Sequence, residues 1–177
     1  MADAARLTAG DIERLFTLLN SELVATDTQG EVYLVGGAVM CLALHARAAT
    51  RDVDGVFKPT REVREAAARV AAKAGVPDTW LNDSVKGLLG KNGEYDRYLE
   101  LSHLKVYVAQ REYLLAMKCV ALRLGAEFQD EDDVRYLLRS LNITSAKEAL
   151  AIVAKYFDES QVPVKTRLAL EELLPNA

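Results

Sequence analysis

The sequence predicts an α/β (α+β) fold, in which helices flank a small mixed β-sheet and a helical part follows at the C-terminus. Three features support this fold class. Residues 32–57 have the pattern of a short strand, a glycine turn, a helix and a second strand. Segments 95–101 and 104–108 alternate apolar and polar residues around a tight turn, which is typical of a hairpin. Beyond residue 111, apolar residues recur at helical spacing.

The N-terminal elements follow from periodicity and from capping residues. Thr8 and Asp11 have the spacing of a capping arrangement, and the apolar residues after them predict a helix over 8–25. The elements expected next are a strand over 32–35, a helix from Gly36 to about Arg47, a strand carrying Asp52-Val53-Asp54, and a helix from Pro59-Thr60 to Gly75. A short helix capped by Asn82 or Asp83 is then predicted.

The rest of the chain is predicted as a hairpin followed by helices. The expected helices span 111–125, begin near Gln129, begin at Thr144 or Ser145, and span Pro163–Leu174. Their apolar faces fit either a helical layer that closes a site or a surface for a partner protein. We expect an α/β core over 1–110 and a helical part over 111–177, packed as a single compact unit.

Composition narrows the class of protein. The chain has 177 residues, 50% of them hydrophobic, which is enough for one well-buried domain with a helical appendage. A net charge of -4 argues against coating nucleic acid by bulk electrostatics. Cys41 and Cys119 lie in apolar runs, which predicts buried thiols in a reducing compartment. The sequence has neither a signal-peptide pattern nor a membrane-length apolar run, so we expect a cytoplasmic protein with no membrane partner.

Two carboxylates follow a glycine pair in the stretch 32–57. Side chains alternate along a strand, so Asp52 and Asp54 are expected on one face with Cα atoms about 6.5–7 Å apart. Carboxylates that close repel unless a hard cation lies between them, and Mg²⁺ combines one or two carboxylates with waters and substrate phosphates. Gly36 and Gly37 allow close approach of the backbone to an anion. The pattern therefore predicts a site for a metal-bound phosphate.

These motifs resemble those of the DNA polymerase β-like nucleotidyltransferase superfamily. The resemblance spans about residues 30–140 and is closest to the small AbiE-type, toxin-related branch. The motifs that carry it are, in chain order, Gly36-Gly37, Arg47, Thr50-x-Asp52-x-Asp54, Tyr113-Leu-Leu-Ala-Met-Lys118 and Asp130-x-x-Asp133. The resemblance implies a nucleotidyltransferase-like fold and the transfer of a nucleotide monophosphate from an NTP to a hydroxyl group.

The resemblance also implies roles, partners and a cofactor. The acceptor would be a tRNA 3′ end or a protein hydroxyl, in a toxin–antitoxin or defence setting with a possible antitoxin partner. The cofactor would be Mg²⁺ or Mn²⁺. The implied metal ligands are Asp52 and Asp54, the implied nucleotide-binding residues are Gly36, Gly37, Arg47 and Thr50, and the implied catalytic residues are Asp52, Asp54, Lys118, Asp130 and Asp133.

Lys118 stands out because it interrupts an otherwise apolar run, from Leu114 to Leu122. A lysine on an apolar helix face needs a partner, so it either pairs with a buried acid for structural reasons or reaches the NTP phosphates. Asp130 and Asp133 lie beside the next apolar stripe and are its expected partners. Acids in a first helical turn are also favoured by the helix dipole, so a capping role is the structural alternative.

One departure from the superfamily pattern leaves a second function open. A third carboxylate is expected on a strand near residues 95–108, but Leu104–Val108 has none, and Glu100 is the nearby acid. The alternative to a nucleotidyltransferase is therefore a non-catalytic nucleotide-binding or protein-interaction module on the same fold.

Overall fold

A computed structural model of the chain describes residues 6–125 and 128–175. These residues form seven α-helices, a five-stranded mixed sheet and a two-stranded sheet, which confirms the predicted mixed α/β class. The chain divides into two compact units. Unit 1 comprises Met1–Gly87 and Tyr95–Ala109, and unit 2 comprises Leu88–Glu94 and Gln110–Ala177.

Unit 1 contains both sheets and three helices. Its elements are β1 (Leu7–Thr8), α1 (Ala9–Ala25), β2 (Gly30–Leu34), α2 (Gly36–Leu42), β3 (Ala49–Thr50), β4 (Val53–Lys58), α3 (Thr60–Ala74), β5 (Leu81–Asn82), β6 (Tyr95–Glu100) and β7 (Leu104–Ala109). A 3₁₀ helix over Ser84–Leu88 follows β5. The large sheet has the order β5-β4-β2-β7-β6, and β1 pairs with β3 in the small one.

The direction of the strands brings distant segments to the same edge. Strand β2 is antiparallel to β4 and parallel to β7, β4 is parallel to β5, and β6 is antiparallel to β7. The end of β2 therefore lies beside the beginning of β4, where Leu34 pairs with Gly55. This pairing places the glycine pair after β2 next to the acidic residues at the start of β4.

The two faces of the large sheet differ in composition. The side chains of Val32, Leu34, Phe57 and Val106 are almost completely buried, and α1 and α3 pack on one another and on β7 and β4. On the other face, Tyr33 stacks on Tyr107 with ring centroids 4.8 Å apart and an angle of 8° between the rings. Alternation along β4 assigns Asp54 to this tyrosine face, because Tyr33 pairs with Val56 two residues later.

Several predicted boundaries are confirmed because their signals are local. Thr8 and Asp11 form a reciprocal capping box at the start of α1. Gly75, with φ 67°, ends α3 in the left-handed conformation. The hairpin β6–β7 and the beginning of α3 also lie where the sequence predicts them.

Three predicted elements have wrong bounds. The helix expected over 111–125 ends at Val120. The helix expected to reach Arg47 ends at Leu42, because His45 adopts a left-handed φ of 51° that an α-helix does not tolerate. Strand β4 begins at Val53, so Asp52 directly precedes the strand rather than lying in it. The two-residue strand β5 was not predicted, because so short a segment carries no periodicity.

Unit 2 is a group of helices. They are α4 (Arg111–Val120), α5 (Asp130–Ser140), α6 (Ala146–Tyr156) and α7 (Val164–Leu173). Helix α4 packs on α5 and α6, and α6 packs on α7. Ser145 forms a capping box with Glu148, as predicted, and the buried Thr166 hydroxyl donates to the Cys119 carbonyl oxygen at 2.7 Å.

Both cysteine side chains are buried, as the sequence predicts. Cys41 and Cys119 are both buried and neither forms a disulfide. Burial raises the pKa of the Cys119 thiol to about 12.

In the part of the chain that the structure describes, no helix combines the length and the apolar character that a bilayer crossing requires.

Candidate functional site

The first glycine of the pair lies against an aspartate. Gly36 begins α2 with φ 69°, a conformation that favours glycine. A Cβ atom added to Gly36 would lie 3.4 Å from Oδ2 of Asp54. The Val35 amide also donates to the Asp54 carbonyl oxygen at 3.0 Å. Backbone and side chain of Asp54 are thus both held at the turn between β2 and α2.

The second glycine is required by packing. A Cβ atom added to Gly37 would lie 2.7 Å from Oγ1 of Thr50 and 2.8 Å from Nη1 of Arg47. Thr50 is buried, and its hydroxyl donates to the Asp52 carbonyl oxygen at 3.2 Å. Because Gly37 has no side chain, the Thr50 hydroxyl and the Arg47 guanidinium lie close to its backbone. The structure therefore brings five of the predicted residues together in one corner of unit 1, namely Gly36, Gly37, Arg47, Thr50 and Asp54.

The side chains of the two aspartates at the beginning of β4 are half-buried. Asp52 directly precedes β4 and Asp54 is its second residue, and both side chains are of intermediate exposure. Burial raises the pKa of Asp52 above its ordinary value, although Arg51 and a hydrogen bond from the Asn82 side chain act in the opposite direction. A half-buried carboxylate whose charge is disfavoured by burial gains free energy when a cation binds beside it.

The donor set is compatible with Mg²⁺ in composition. Among residues 6–125 and 128–175, no group of three or more His, Cys, Asp or Glu side chains is arranged to hold a metal ion. Two aspartates are nevertheless enough for Mg²⁺, which takes its other ligands from waters and substrate phosphates. Hard oxygen atoms also suit Mg²⁺ or Mn²⁺ better than zinc.

Strand register excludes Asp96 of β6 as a third carboxylate beside Asp54. Asp96 pairs with Val108, and Val108 pairs with Leu34. Leu34 pairs in turn with Gly55, the neighbour of Asp54. Residues that lie directly opposite one another share a face of the sheet, and adjacent residues alternate. Asp96 therefore points to the face opposite to that of Asp54.

Glu100 shares the face of Asp54 but lies at the other end of the sheet. The register connects Glu100 through Lys105 and Glu31 to Lys58. Lys58 follows Asp54 by four residues, a distance of about 13 Å along an extended strand. Glu100, the acid near the position where the superfamily pattern predicts a third carboxylate, is thus too distant to share a metal with Asp54.

In unit 2, Lys118 has one of its two predicted partners. Its Nζ atom lies 2.7 Å from Oδ2 of Asp133, and the two side chains are only 11% and 4% exposed. The ion pair joins α4 to α5, and it is consistent with a structural role as well as a chemical one. The structure therefore identifies Asp133, not Asp130, as the acid that hydrogen-bonds Lys118.

Asp130 has a different partner. Its carboxylate accepts hydrogen bonds from the Arg123 side chain at 2.8 Å and from the Arg123 backbone amide at 3.1 Å. Burial acts to raise the pKa of Asp130, but these bonds outweigh it and the pKa lies below its ordinary value. Asp130 thereby ties the beginning of α5 to the segment that follows α4.

Asn82 is a polar residue near the carboxylates whose position in a strand is not predicted from the sequence. Asn82 or Asp83 is predicted to cap a short helix, and Asn82 does accept from the Ser84 amide at 3.3 Å where a 3₁₀ helix begins. The structure adds that Asn82 also belongs to β5, where it pairs with Asp54. A two-residue strand has no pattern of its own, so no signal in the sequence marked this neighbourhood. The register of β4 and β5 is needed to find it.

Comparison with known proteins finds no matching family model, no matching curated protein and no matching solved structure.

Proposed function

We propose that the protein is a metal-dependent nucleotidyltransferase that moves a nucleotide monophosphate from an NTP to a hydroxyl acceptor. The observation that carries the proposal is the corner in which Asp54 lies against Gly36 while Arg47 and Thr50 lie against Gly37. A carboxylate for a metal and a guanidinium donor for phosphate oxygens meet there, and Thr50 ties the segment of Asp52 to the same glycine pair. The nucleotidyltransferase-like arrangement of the fold and the relation to the AbiE-type branch belong to the same proposal.

The residues of the corner would have two roles, to bind the metal and to bind the phosphate. Asp52 and Asp54 would hold Mg²⁺ or Mn²⁺, which supplies neutralisation of charge on the transferred phosphoryl group. The Arg47 guanidinium would donate to phosphate oxygens, for which its planar fork is well suited. The Thr50 hydroxyl lies beside the same glycine but donates its hydrogen to the Asp52 carbonyl oxygen, so Thr50 would hold the segment that carries Asp52 beside the glycine pair.

The roles of three residues in unit 2 rest on the sequence resemblance. That resemblance assigns Lys118 to the NTP phosphates and assigns Asp130 or Asp133 to orienting Lys118 or activating the acceptor hydroxyl. The contacts within unit 2 favour Asp133 for the first of these tasks, because its carboxylate binds the Lys118 ammonium directly. The acceptor, a tRNA 3′ end or a protein hydroxyl, and an antitoxin partner stay proposals from the resemblance.

A transfer assay with isosteric variants tests the proposal. The protein is incubated with each α-³²P-labelled NTP, with Mg²⁺ or Mn²⁺, and with either total tRNA or a nuclease-treated cell lysate. We expect label on one acceptor class and a loss of at least a hundredfold in Asp54→Asn and Asp52→Asn. Asp96→Asn is the matched control, because it changes the same group on the opposite face of the same sheet.

A second function is favoured by one observation. Neither acid of β6 is placed to complete a three-carboxylate site with Asp54. A non-catalytic module would bind a metal–nucleotide without turnover. Nucleotide-dependent stabilisation against heat that Asp54→Asn abolishes, with no label transferred to either acceptor class, would favour this module over the enzyme. If Asp54→Asn changes neither transfer nor binding, both functions are refuted.

A further inference from the structure

One face of the large sheet carries a cluster of three tyrosines. Tyr33 of β2 lies opposite Tyr107 of β7, and their rings stack with centroids 4.8 Å apart. Tyr95 of β6 meets Tyr33 edge to face, with ring centroids 5.2 Å apart. Each of these three residues is partly exposed. Because the rings hold one another in place, they form an aromatic surface that exists before any ligand binds.

The cluster lies on the face of the sheet opposite to the one on which α1 and α3 pack. The residues that alternate with the two stacked tyrosines, among them Val32, Leu34 and Val106, are completely buried. The hydrophobic core of this sheet thus lies on the other side from the tyrosines. Tyrosine combines an apolar ring with a polar tip, and a contiguous group of partly exposed rings is typical of a binding surface.

The cluster also lies beside the carboxylate that the proposed function assigns to the metal. Tyr33 is opposite Val56, which follows Asp54 by two residues in β4. Residues two apart in a strand point to the same face, with Cα atoms about 6.5–7 Å apart. The tyrosine surface is therefore continuous with the corner that holds Asp54 and the glycine pair.

Three cationic side chains flank the tyrosines on the same face. Arg97 of β6 lies directly opposite Tyr107. Lys58 of β4 and Lys105 of β7 form the next row, on the side away from the glycine pair. The Lys58 ammonium lies 5.5 Å from the centre of the Tyr33 ring, a distance at which a cation is attracted to an aromatic face. Rings for bases and cations for phosphates are the two components of sites for single-stranded nucleic acid.

Two carboxylates lie in the same rows and reduce the positive charge without removing it. Glu31 accepts from the Tyr33 hydroxyl at 2.8 Å. Glu100 accepts from Arg97 at 2.6 Å and lies 3.8 Å from the Lys105 ammonium. Three cations thus face two acids, besides the carboxylate assigned to the metal. We therefore expect the rings to supply more of the affinity than the phosphate contacts do.

We propose that the tyrosine face binds single-stranded RNA, with the 3′ end of the RNA directed towards Asp54. The proposal rests on the proposed function, for which it selects an RNA 3′ end over a protein hydroxyl as the acceptor. In the transfer, the terminal hydroxyl oxygen would attack the α-phosphorus of the NTP, and the bond from that phosphorus to the pyrophosphate oxygen would break. The hydroxyl proton would pass through water to the released pyrophosphate. The three tyrosines and the flanking cations lie outside the sequence motifs, so this role is additional to theirs.

The structural alternative is that the rings only stabilise the sheet, as aromatic pairs on neighbouring strands do in general. The two roles separate in their readouts. A purely structural tyrosine changes the melting temperature and leaves RNA affinity unaltered in the folded protein. A binding tyrosine changes RNA affinity, and a phenylalanine in its place preserves that affinity because stacking needs only the ring.

The test measures fluorescence anisotropy of a 5′-fluorescein-labelled single-stranded RNA of about 12 nucleotides, a length within the range of such sites. NTP and divalent cations are left out, so that binding is separated from transfer. We expect Tyr107→Leu to weaken RNA binding by about tenfold and Tyr107→Phe to leave it unchanged. Tyr98→Leu is the matched control, because the Tyr98 hydroxyl donates to Glu13 of α1 at 2.7 Å, which places this ring on the helix side of the same sheet.

The contribution of the cations is measured over a range of KCl concentrations. Lys58→Gln should weaken RNA binding and lower the slope of log Kd against log salt concentration by about 1, as expected for one lost phosphate contact. Lys147→Gln, a change of the same kind at an exposed position of α6, should change neither quantity. Near-ultraviolet circular dichroism verifies that each variant is folded, and Lys58→Gln tests the proposal if Tyr107→Leu is not.

The outcomes distinguish this proposal from the one on which it rests. A wild-type protein that binds no RNA but transfers label to a protein hydroxyl overturns the RNA surface and leaves the nucleotidyltransferase standing. RNA binding that depends on Tyr107, with no label transferred to any acceptor, supports the surface and refutes the enzyme. Equal RNA affinity of wild type and folded Tyr107→Leu overturns the tyrosine face as the site. Equal affinity for DNA of the same sequence overturns the assignment to RNA.

Discussion

Replacing Gly36 by alanine tests the central geometry of the site, because the structure contains a matched control. Gly36 has φ 69° and Gly75, at the end of α3, has φ 67°. A Cβ atom would lie 3.4 Å from Asp54 Oδ2 at Gly36, whereas nothing lies within 4 Å at Gly75. The two substitutions thus impose the same backbone strain, but only Gly36→Ala affects the carboxylate.

The expected loss of stability follows from two opposing terms. An L-residue in the left-handed region costs about 1–2 kcal/mol. Replacing glycine by alanine also stabilises the folded state by about 0.4–1 kcal/mol, because the unfolded chain loses conformational freedom. We therefore expect each variant to lose about 1 kcal/mol in the free energy of unfolding. Only Gly36→Ala should also weaken Mn²⁺ binding, since its Cβ would lie in van der Waals contact with Asp54 Oδ2 and occupy part of the space beside that carboxylate.

Urea unfolding followed by circular dichroism measures the first quantity, and electron paramagnetic resonance measures the second. Unchanged stability in both variants would refute the strain argument. Equal Mn²⁺ affinity in Gly36→Ala and Gly75→Ala would refute the placement of Gly36 against a functional carboxylate.

Three further predictions concern the packing and charges of the fold. Gly55→Ala should lose about 2–3 kcal/mol on urea unfolding, because its Cβ would lie 2.6 Å from the Tyr33 carbonyl oxygen, while Gly87→Ala, with nothing within 4 Å, should stay within about 0.5 kcal/mol of wild type. Lys118→Met should lose about 3 kcal/mol in the same assay, because it keeps the buried Asp133 carboxylate and removes its cation, and exposed Lys147→Met should not. Hydrogen bonds from Lys73 and Arg69 lower the pKa of Glu22 below 4.5, so this cluster stabilises the fold above that pH and the contribution is lost as the pH falls through the lowered pKa. Glu22→Gln should accordingly lose about 1 kcal/mol at pH 7, a difference from wild type that disappears in acid titrations of unfolding.

The parts of the fold that could be predicted from sequence are those with local signals. Helix α1 has a capping box and an apolar stripe within one segment, and the hairpin β6–β7 has two alternating strands around a tight turn. The pairing of Lys118 with an acid was also predictable, because helical spacing places this lysine on an apolar face. In each case, residues close in sequence determine the structure.

The parts that could not be predicted depend on pairings between distant segments. The end of α2 is also not marked in the sequence, because His45 adopts a left-handed conformation that histidine adopts more often than most residues but still only in a minority of cases. The contact of Gly37 with Thr50 and Arg47 depends on the antiparallel pairing of β2 with β4. Asn82 lies opposite Asp54 only because β5, two residues long, pairs with β4. Spacing along one chain does not contain this information.

The strand register also determines which acidic side chains can share a metal ion with Asp54. Asp96 lies two strands away from β2 and points to the face opposite to that of Asp54. Glu100 shares the face of Asp54 but lies at the other end of the sheet. A nucleotidyl transfer that needs a third carboxylate therefore takes it from outside β6 and β7 or proceeds with two. A two-carboxylate site depends more strongly on how well each carboxylate is oriented. That dependence is the physical reason for expecting Gly36→Ala, whose added methyl group would contact Oδ2 of Asp54, to change the affinity for the cation.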